Sequence, residues 1–300
     1  MKNFLKSKIG NYYKFFFDYH ETLTVFLFHE VTDHPSNYQK RDKIFHRKKE
    51  FIDIISWIEN NYNIINPNKF HNSKKKNALI TFDDGFKGIF DFAIPHLIKK
   101  KISSISFLNF RPIIKQEPNI VATVQFLRDN NLNFMNFMKE NNLGENVHLE
   151  ITPNLFKSFI FNNKKIDLDQ IIIDQGKIVD YETLKHFSDN EYVLFGNHMY
   201  EHWNSRKLSN EEFEYYFKKN TFELLNFSNN INFYAFPFGI LRKNISNNFC
   251  PERLFVFNNG VNYNYNEKIL DRIYVKNVKD VKDIFYYNIL RSKIKKNFNL

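Results

Sequence analysis

Two adjacent carboxylates, Asp83 and Asp84, end the apolar run Ala78-Leu79-Ile80-Thr81-Phe82 and are followed at once by Gly85. Asp and Gly are poor strand residues, so a strand that stops in Asp-Asp-Gly stops at a turn. In α/β folds the carboxyl ends of parallel strands are where ligands bind. Neighbouring aspartates there can divide the work, one holding a cation and one moving a proton. Much later, His198-Met199-Tyr200-Glu201-His202 sets two imidazoles four residues apart. On a helix they would share one face and could grip one metal. Two His and a carboxylate from Asp83 or Asp84 make a divalent-metal set with positions left for water and substrate. The His pair follows a strand and a glycine, just as the Asp pair ends a strand.

The elements that must position these groups alternate between strand and helix along the chain. Strand runs are read at 24–28, 63–66, 78–82, 105–110, 192–195, 233–236, 254–257 and 272–275. Helical spacing marks 51–62, 88–101 with a kink at Pro95, 181–187, and 210–227 with a cap near Ser209. Residues 111–178 carry helical runs at 121–130 and 132–139, then Asn-rich punctuation and the apolar patch 171–173. We read that stretch as a mostly helical insertion. Strands alternating with helices over this length argue a parallel α/β architecture, barrel-like or open.

Composition excludes several classes. The chain has 300 residues, 43% of them hydrophobic and 18% aromatic, so it can bury a sizeable core and is not disordered. Its formal net charge of +10 comes from lysines that are mostly dispersed. No nucleic-acid motif accompanies them, so solvated faces and loops are the expectation, and no nucleic acid is expected as partner. Cys250 is the only cysteine, which rules out an internal disulfide; it is expected to be a packed thiol. No apolar run reaches the roughly 18 residues of a membrane span, and no signal-peptide pattern is visible. The expected location is cytoplasmic. The aromatic cluster 12–17 leaves peripheral contact with the inner face of the membrane open.

With these residues in place, the chain resembles a known family. Thr81-Phe82-Asp83-Asp84-Gly85 looks like the first motif of the polysaccharide deacetylases, carbohydrate esterase family 4. His198 to His202 resembles the second motif, His-Ser/Thr-x-x-His, and Phe236-Pro237-Phe238-Gly239 resembles the third, an aromatic-Pro-aromatic-Gly loop. Order and context agree across residues 24–275. The resemblance implies a distorted (β/α) barrel of about seven strands. It also implies hydrolysis of N-acetyl groups on sugars with one divalent metal ion, zinc first, with cobalt or nickel as the other candidates. It assigns Asp84, His198 and His202 to the metal and Asp83 to the general base. Phe238, through its backbone N–H, goes to the oxyanion, with Pro237 and Gly239 shaping that loop.

Departures from the family pattern matter too. Met199 replaces the usual Ser or Thr of the second motif. The third motif often carries an Arg two residues before the proline, where this chain has Ala235; Arg272 is the candidate stand-in. The usual late Leu-x-His motif is absent, and residues 276–300 contain no histidine. Phe26-Leu27-Phe28-His29-Glu30-Val31 instead resembles the strand-His element of the permuted, poly-N-acetylglucosamine deacetylase branch, which makes His29 the acid for the leaving amine. Trp203 could wall a sugar site or pack in the rim. His20, His34, His46, His71, His96, His148 and His186 show no ligand spacing.

The expected organisation is an N-terminal extension at 1–22, a catalytic domain at 23–290 with the 111–178 insertion, and a basic tail at 291–300. The expected partner is an N-acetylated glycan or a glycolipid intermediate of surface-polysaccharide assembly. The alternatives are a catalytically weak glycan-binding member, or a hydrolase of another C–N bond or an O-acetyl ester using the same metal site.

Overall fold

A computed structural model of the chain describes residues 5–10, 12, 22–69, 76–163, 166–243, 249–263, 267–275, 286, 289–291 and 294. Outside them lie His20, His71, Lys74 and Lys75, most of the aromatic cluster 12–17, and Lys293, Lys295 and Lys296 of the basic tail.

Ten strands are described: β1 (Leu23–Phe28), β2 (Glu30–Val31), β3 (Phe45–His46), β4 (Asn63–Ile64), β5 (Asn77–Asp83), β6 (Ser104–Leu108), β7 (Val193–Asn197), β8 (Asn230–Ala235), β9 (Arg253–Val256) and β10 (Ile269–Tyr274). The main sheet runs β1-β10-β9-β8-β7-β6-β5-β4, and β1 also pairs with β5, which closes a parallel barrel of seven strands with β4 outside it. This is the expected (β/α) barrel. Its distortion is visible between β7 and β8, where the register shifts between Phe195 and Asn197.

The barrel strands read as continuous apolar runs because both faces are covered. Alternation sorts the faces. Leu23 and Val25 of β1, Leu79 of β5, Ile105 and Phe107 of β6, Leu194 of β7, Phe233 and Ala235 of β8, Phe255 of β9 and Leu270 of β10 form one inner cluster. Phe26, Phe28, Ile80, Phe82, Phe195, Tyr234 and Val256 belong to the larger cluster packed against the outer helices. With side chains alternating every residue, the inner parity continues to His29 after β1, Asp83 on β5, His198 after β7 and Arg272 on β10. The barrel pleat alone therefore aims these four groups inward at the carboxyl ends of their strands.

Several sequence expectations are refined. Between β6 and β7 lie helices at Phe110–Lys115, Ile120–Asn130, Leu132–Glu140, Val147–Glu150, Pro153–Asn162 and Leu168–Gln175, then Tyr181–His186. The 88–101 stretch is helical as expected, with a π-helical turn, Ile89–Ala93, leading directly into the α-helix Ile94–Lys99 that holds Pro95 in its first turn. Proline has no N–H to give to the carbonyl four residues back, and it sits in the first turn, where none is required. Ser209 caps Asn210–Leu224 through a capping box with Glu212. Cys250 is exposed, not packed. Among the described residues no helix is long and apolar enough to cross a membrane.

One buried acid ties the first loop to the barrel. Glu30 is 4% exposed; it accepts from the Val31 N–H at 2.7 Å and from Gln39 Nε2 at 3.3 Å. A Cβ on Gly88 would sit 2.2 Å from Glu30 Oε1, so only glycine permits that approach. Burial pushes the Glu30 carboxyl up from 4.5 to about 7. The folded state therefore holds this proton more tightly than the unfolded chain. Its contribution to stability is full below pH 4.5 and is lost as pH rises towards 7. In chemical denaturation, wild type should lose about 3 kcal/mol relative to Glu30→Gln across that window. A stability difference that stays constant with pH would show that Glu30 is not buried as the neutral acid.

Candidate active site

The inner face of the barrel mouth opens into a cavity of about 540 Å³. Asp83, Asp84, His29, His198, His202, Arg272, Phe238 and Gly239 all line it, with Tyr38, Asp42, His148 and Tyr274 among the other walls. Pro237 is buried and does not line it.

The metal-type set comes from two turns. Asp84 takes a left-handed backbone (φ 70°), and Gly85 follows at φ 73°, so the strand end folds sharply and turns the second carboxylate towards the histidines. One donor atom from each of Asp84, His198 and His202 lies within 4.8 Å of the others. His202 Nε2 is 3.3 Å and His198 Nε2 3.6 Å from Asp84 Oδ1. That oxygen is buried with no hydrogen-bond partner. His198 Nδ1 lies 2.8 Å from the Ala235 carbonyl, so the ring proton belongs on Nδ1 and the Nε2 lone pair faces Asp84. Burial lowers both imidazoles, His202 to about 4, which keeps them neutral as a metal ligand requires. Burial pushes the Asp84 carboxyl up, a cost that a cation between the three groups would reverse. Two neutral imidazoles and an orphaned carboxylate oxygen fit a divalent cation.

The histidines do not meet through helical spacing, as the four-residue interval suggested. Residues 198–204 form a loop after β7, and Met199 bends it at φ 71°. A buried amide network fixes the bend. Asn197 Oδ1 accepts from the Met199 N–H at 2.7 Å and from Asn220 Nδ2 at 2.9 Å. Asn109 Nδ2 donates to the carbonyls of His198 and Met199. Met199 itself is fully buried, so at this position packing takes the place of a hydroxyl.

Asp83 has a different partner. Arg272 Nη1 and Nη2 donate to its two carboxylate oxygens at 2.7 and 2.8 Å. Both side chains are nearly inaccessible, at 1% and 4% exposure. Burial by itself would push the Asp83 carboxyl up, but the Arg272 guanidinium outweighs it and holds it at about 2. The guanidinium also lies 5.6 Å from the Phe107 ring centroid. Phe107 has its place because Gly196 has no side chain: a Cβ there would be 2.6 Å from the ring. Ala235, small and inward, leaves Asp83 no arginine from β8, and Arg272 reaches that carboxylate from β10.

The third-motif loop closes the other side. Phe238 (φ 59°) and Gly239 (φ 66°) are left-handed, and a Cβ on Gly239 would fall 2.2 Å from Phe257 Cβ. Phe238 meets the His202 ring edge-on at 4.6 Å and lies 5.6 Å from His148. His29 enters the same cavity and packs edge-on against Tyr274 at 5.4 Å; burial lowers its pKa.

Trp203 is no sugar wall of this cavity. It is 3% exposed, and its indole N–H donates to Glu201, which also pairs with Arg111. The sequence reading missed Tyr38, Asp42, His148 and the Asn109, Asn197 and Asn220 network. Asparagine is so frequent in this chain that three buried ones carry no signal, and His148 and Tyr38 have no ligand spacing.

No family model matches the sequence, and no curated protein matches it. Solved structures do match. A polysaccharide deacetylase from Bacillus cereus shares 14% identity at a TM-score of 0.57, over 91% of this chain and 70% of that one. IcaB from Ammonifex degensii shares 14% at 0.55, over 89% and 97% of the two chains. The Streptococcus pyogenes deacetylase PplD, solved in complex with acetate, shares 13% at 0.55, over 91% and 98%. The chain thus has the barrel fold of the polysaccharide deacetylases.

The buried pair generates a stability test. Replacing Arg272 by Met strands a buried carboxylate and should cost about 3–5 kcal/mol in denaturation at neutral pH. A loss below about 1 kcal/mol would mean that the pair is not closed in solution.

Proposed function

We propose that this protein is a metal-dependent hydrolase that removes N-acetyl groups from amino sugars of a glycan or glycoconjugate, in the building of a surface polysaccharide. The observation that carries the reading is the pairing of two sites in one cavity. A neutral His-His-Asp set lies beside a separate, Arg-clamped carboxylate. A binding protein has no use for the second. The fold shared with the polysaccharide deacetylase from Bacillus cereus supports the same activity, and acetate in PplD is the product such a reaction would release.

Asp84, His198 and His202 would hold one divalent cation, zinc first. When bound, it polarises the acetyl carbonyl and acidifies a water. Asp83 takes the proton of the attacking water. Arg272 keeps that carboxylate ionised and fixes its orientation. A carboxyl held at about 2 does not store a proton at neutral pH, so the proton must move on. His29, in the same cavity, is the group placed to hand a proton to the leaving nitrogen. The backbone N–H of Phe238 donates to the oxyanion of the tetrahedral species. The chain order, with the His29 strand β1 ahead of the Asp83 strand β5 and paired to it, supports the permuted arrangement.

Three outcomes test this. Elemental analysis should find about one metal per chain, lost in His198→Ala/His202→Ala, with acetate released from N-acetylglucosamine oligomers by wild type only. Wild type that takes up no metal even after reconstitution would undo the enzyme reading. Asp83→Asn should lower kcat by at least about 100-fold while keeping the metal; full activity in that variant would remove Asp83 from the mechanism. His29→Ala should slow N-acetyl hydrolysis far more than hydrolysis of an aryl acetate, whose leaving group needs no proton. Equal losses on both would deny His29 the acid role.

A further inference from the structure

The helix Asn37–Asp42 stands outside the barrel yet walls the metal-type site. Tyr38 and Asp42 lie one turn apart, on one face, and both line the cavity that holds Asp84. The helix is clamped from two directions. Ser36 caps it and donates from its hydroxyl to the Gln175 carbonyl at 2.8 Å, and Gln39 donates to Glu30. Arg41 pairs with Asp174 at 3.3 Å and lies 5.8 Å from the Tyr38 ring centroid. The Phe86 ring lies 6.4 Å from Tyr38 on a tilted plane. Tyr274, itself a cavity wall, donates from its hydroxyl to the Lys43 carbonyl at the end of the helix.

Tyr38 is only 4% exposed, and what it does expose lines the cavity. A phenol bordering a cavity can complete its hydrogen bonding there with water or a ligand. Asp42 offers the complementary chemistry: one of its oxygens accepts from Gln125 Nε2 at 3.0 Å, and the carboxylate faces the same cavity. A phenol donor and a carboxylate acceptor one turn apart, beside a site for hydrolysing an acylated group, match a ring that bears both oxygen acceptors and hydroxyl donors.

We propose that the Asn37–Asp42 helix is the substrate-recognition element of this site, with the Tyr38 hydroxyl donating to a ring or hydroxyl oxygen of the acylated sugar and Asp42 accepting from one of its hydroxyls. The proposal rests on the deacetylase reading for its substrate class. Burial and the neighbouring Asp84 push the Tyr38 phenol well above its ordinary value, so it is a donor at every working pH.

The test uses Tyr38→Phe, which keeps the ring against Phe86 and Arg41 and removes only the hydroxyl, together with Asp42→Asn. Binding of N-acetylglucosamine oligomers is measured by calorimetry on the metal-free full chain, and acetate release on the metal-loaded one. The expected result is a Kd and KM about 10-fold higher in each variant, with unchanged metal content and thermal midpoint. Unchanged Kd and KM in Tyr38→Phe would overturn the proposal. Wild type that binds the oligomers without releasing acetate, with Kd weakened in both variants, would keep the recognition helix and refute the hydrolase reading. Wild type that releases acetate from N-acetylglucosamine while both variants match it in Kd and KM would keep the hydrolase and refute the helix.

Discussion

The bidentate pair between Asp83 and Arg272 is the constraint on which the rest of the site depends. Two charges taken almost wholly out of water are tolerable only when geometry and hydrogen bonding are both satisfied. Here the guanidinium fork matches the carboxylate, and Phe107 supports the cation from its other side. That support requires Gly196, because any side chain there would meet the Phe107 ring. A chain running from a backbone vacancy on β7, through an aromatic ring on β6, to an arginine on β10 thus determines the charge state of a carboxylate on β5. It also divides the labour between two adjacent aspartates. Asp83 is claimed by an arginine and stays ionised, whereas Asp84 Oδ1 has no hydrogen-bond partner and faces the imidazoles.

The barrel supplies the coarse aim and the loops the fine placement. Parallel strands end on one rim, and inner-face alternation sends His29, Asp83, His198 and Arg272 towards one axis. Alternation cannot place His202, which lies in the loop. Its position follows from Met199 at positive φ and from buried amides on Asn109, Asn197 and Asn220 that satisfy the loop's backbone groups. The helix Asn210–Leu224 provides Asn220, so the outer layer stabilises the site as well as the core.

Part of the cavity wall is built by segments outside the barrel. His148 comes from the helices between β6 and β7, and Tyr38 and Asp42 come from the loop region between β2 and β3. The barrel rim holds the groups with reactive chemistry, and these added segments hold groups suited to recognition. Rigid strands fix a geometry that tolerates little error, and peripheral helices can vary without disturbing it.

Local sequence determined the elements that depend on neighbours alone. The strand ending in Asp83-Asp84-Gly85, the apolar strand runs of the barrel and the capped helix after Ser209 were legible because strand, turn and cap chemistry act over a few residues. The candidate site residues were legible as types and order. Their arrangement was not: the four-residue interval between His198 and His202 suggested a helix, and the chain makes a bent loop instead. Arg272 stands 189 positions from Asp83. Nothing near either residue says that β10 and β5 flank β1 in a closed barrel and bring the two together. Trp203 has the composition of a sugar platform, yet it is buried against Glu201, while Tyr38, with no motif around it, walls the site. Such outcomes depend on which strands pair and which side chains fill the space inside the barrel. Those are long-range packing decisions that only the closed tertiary structure makes.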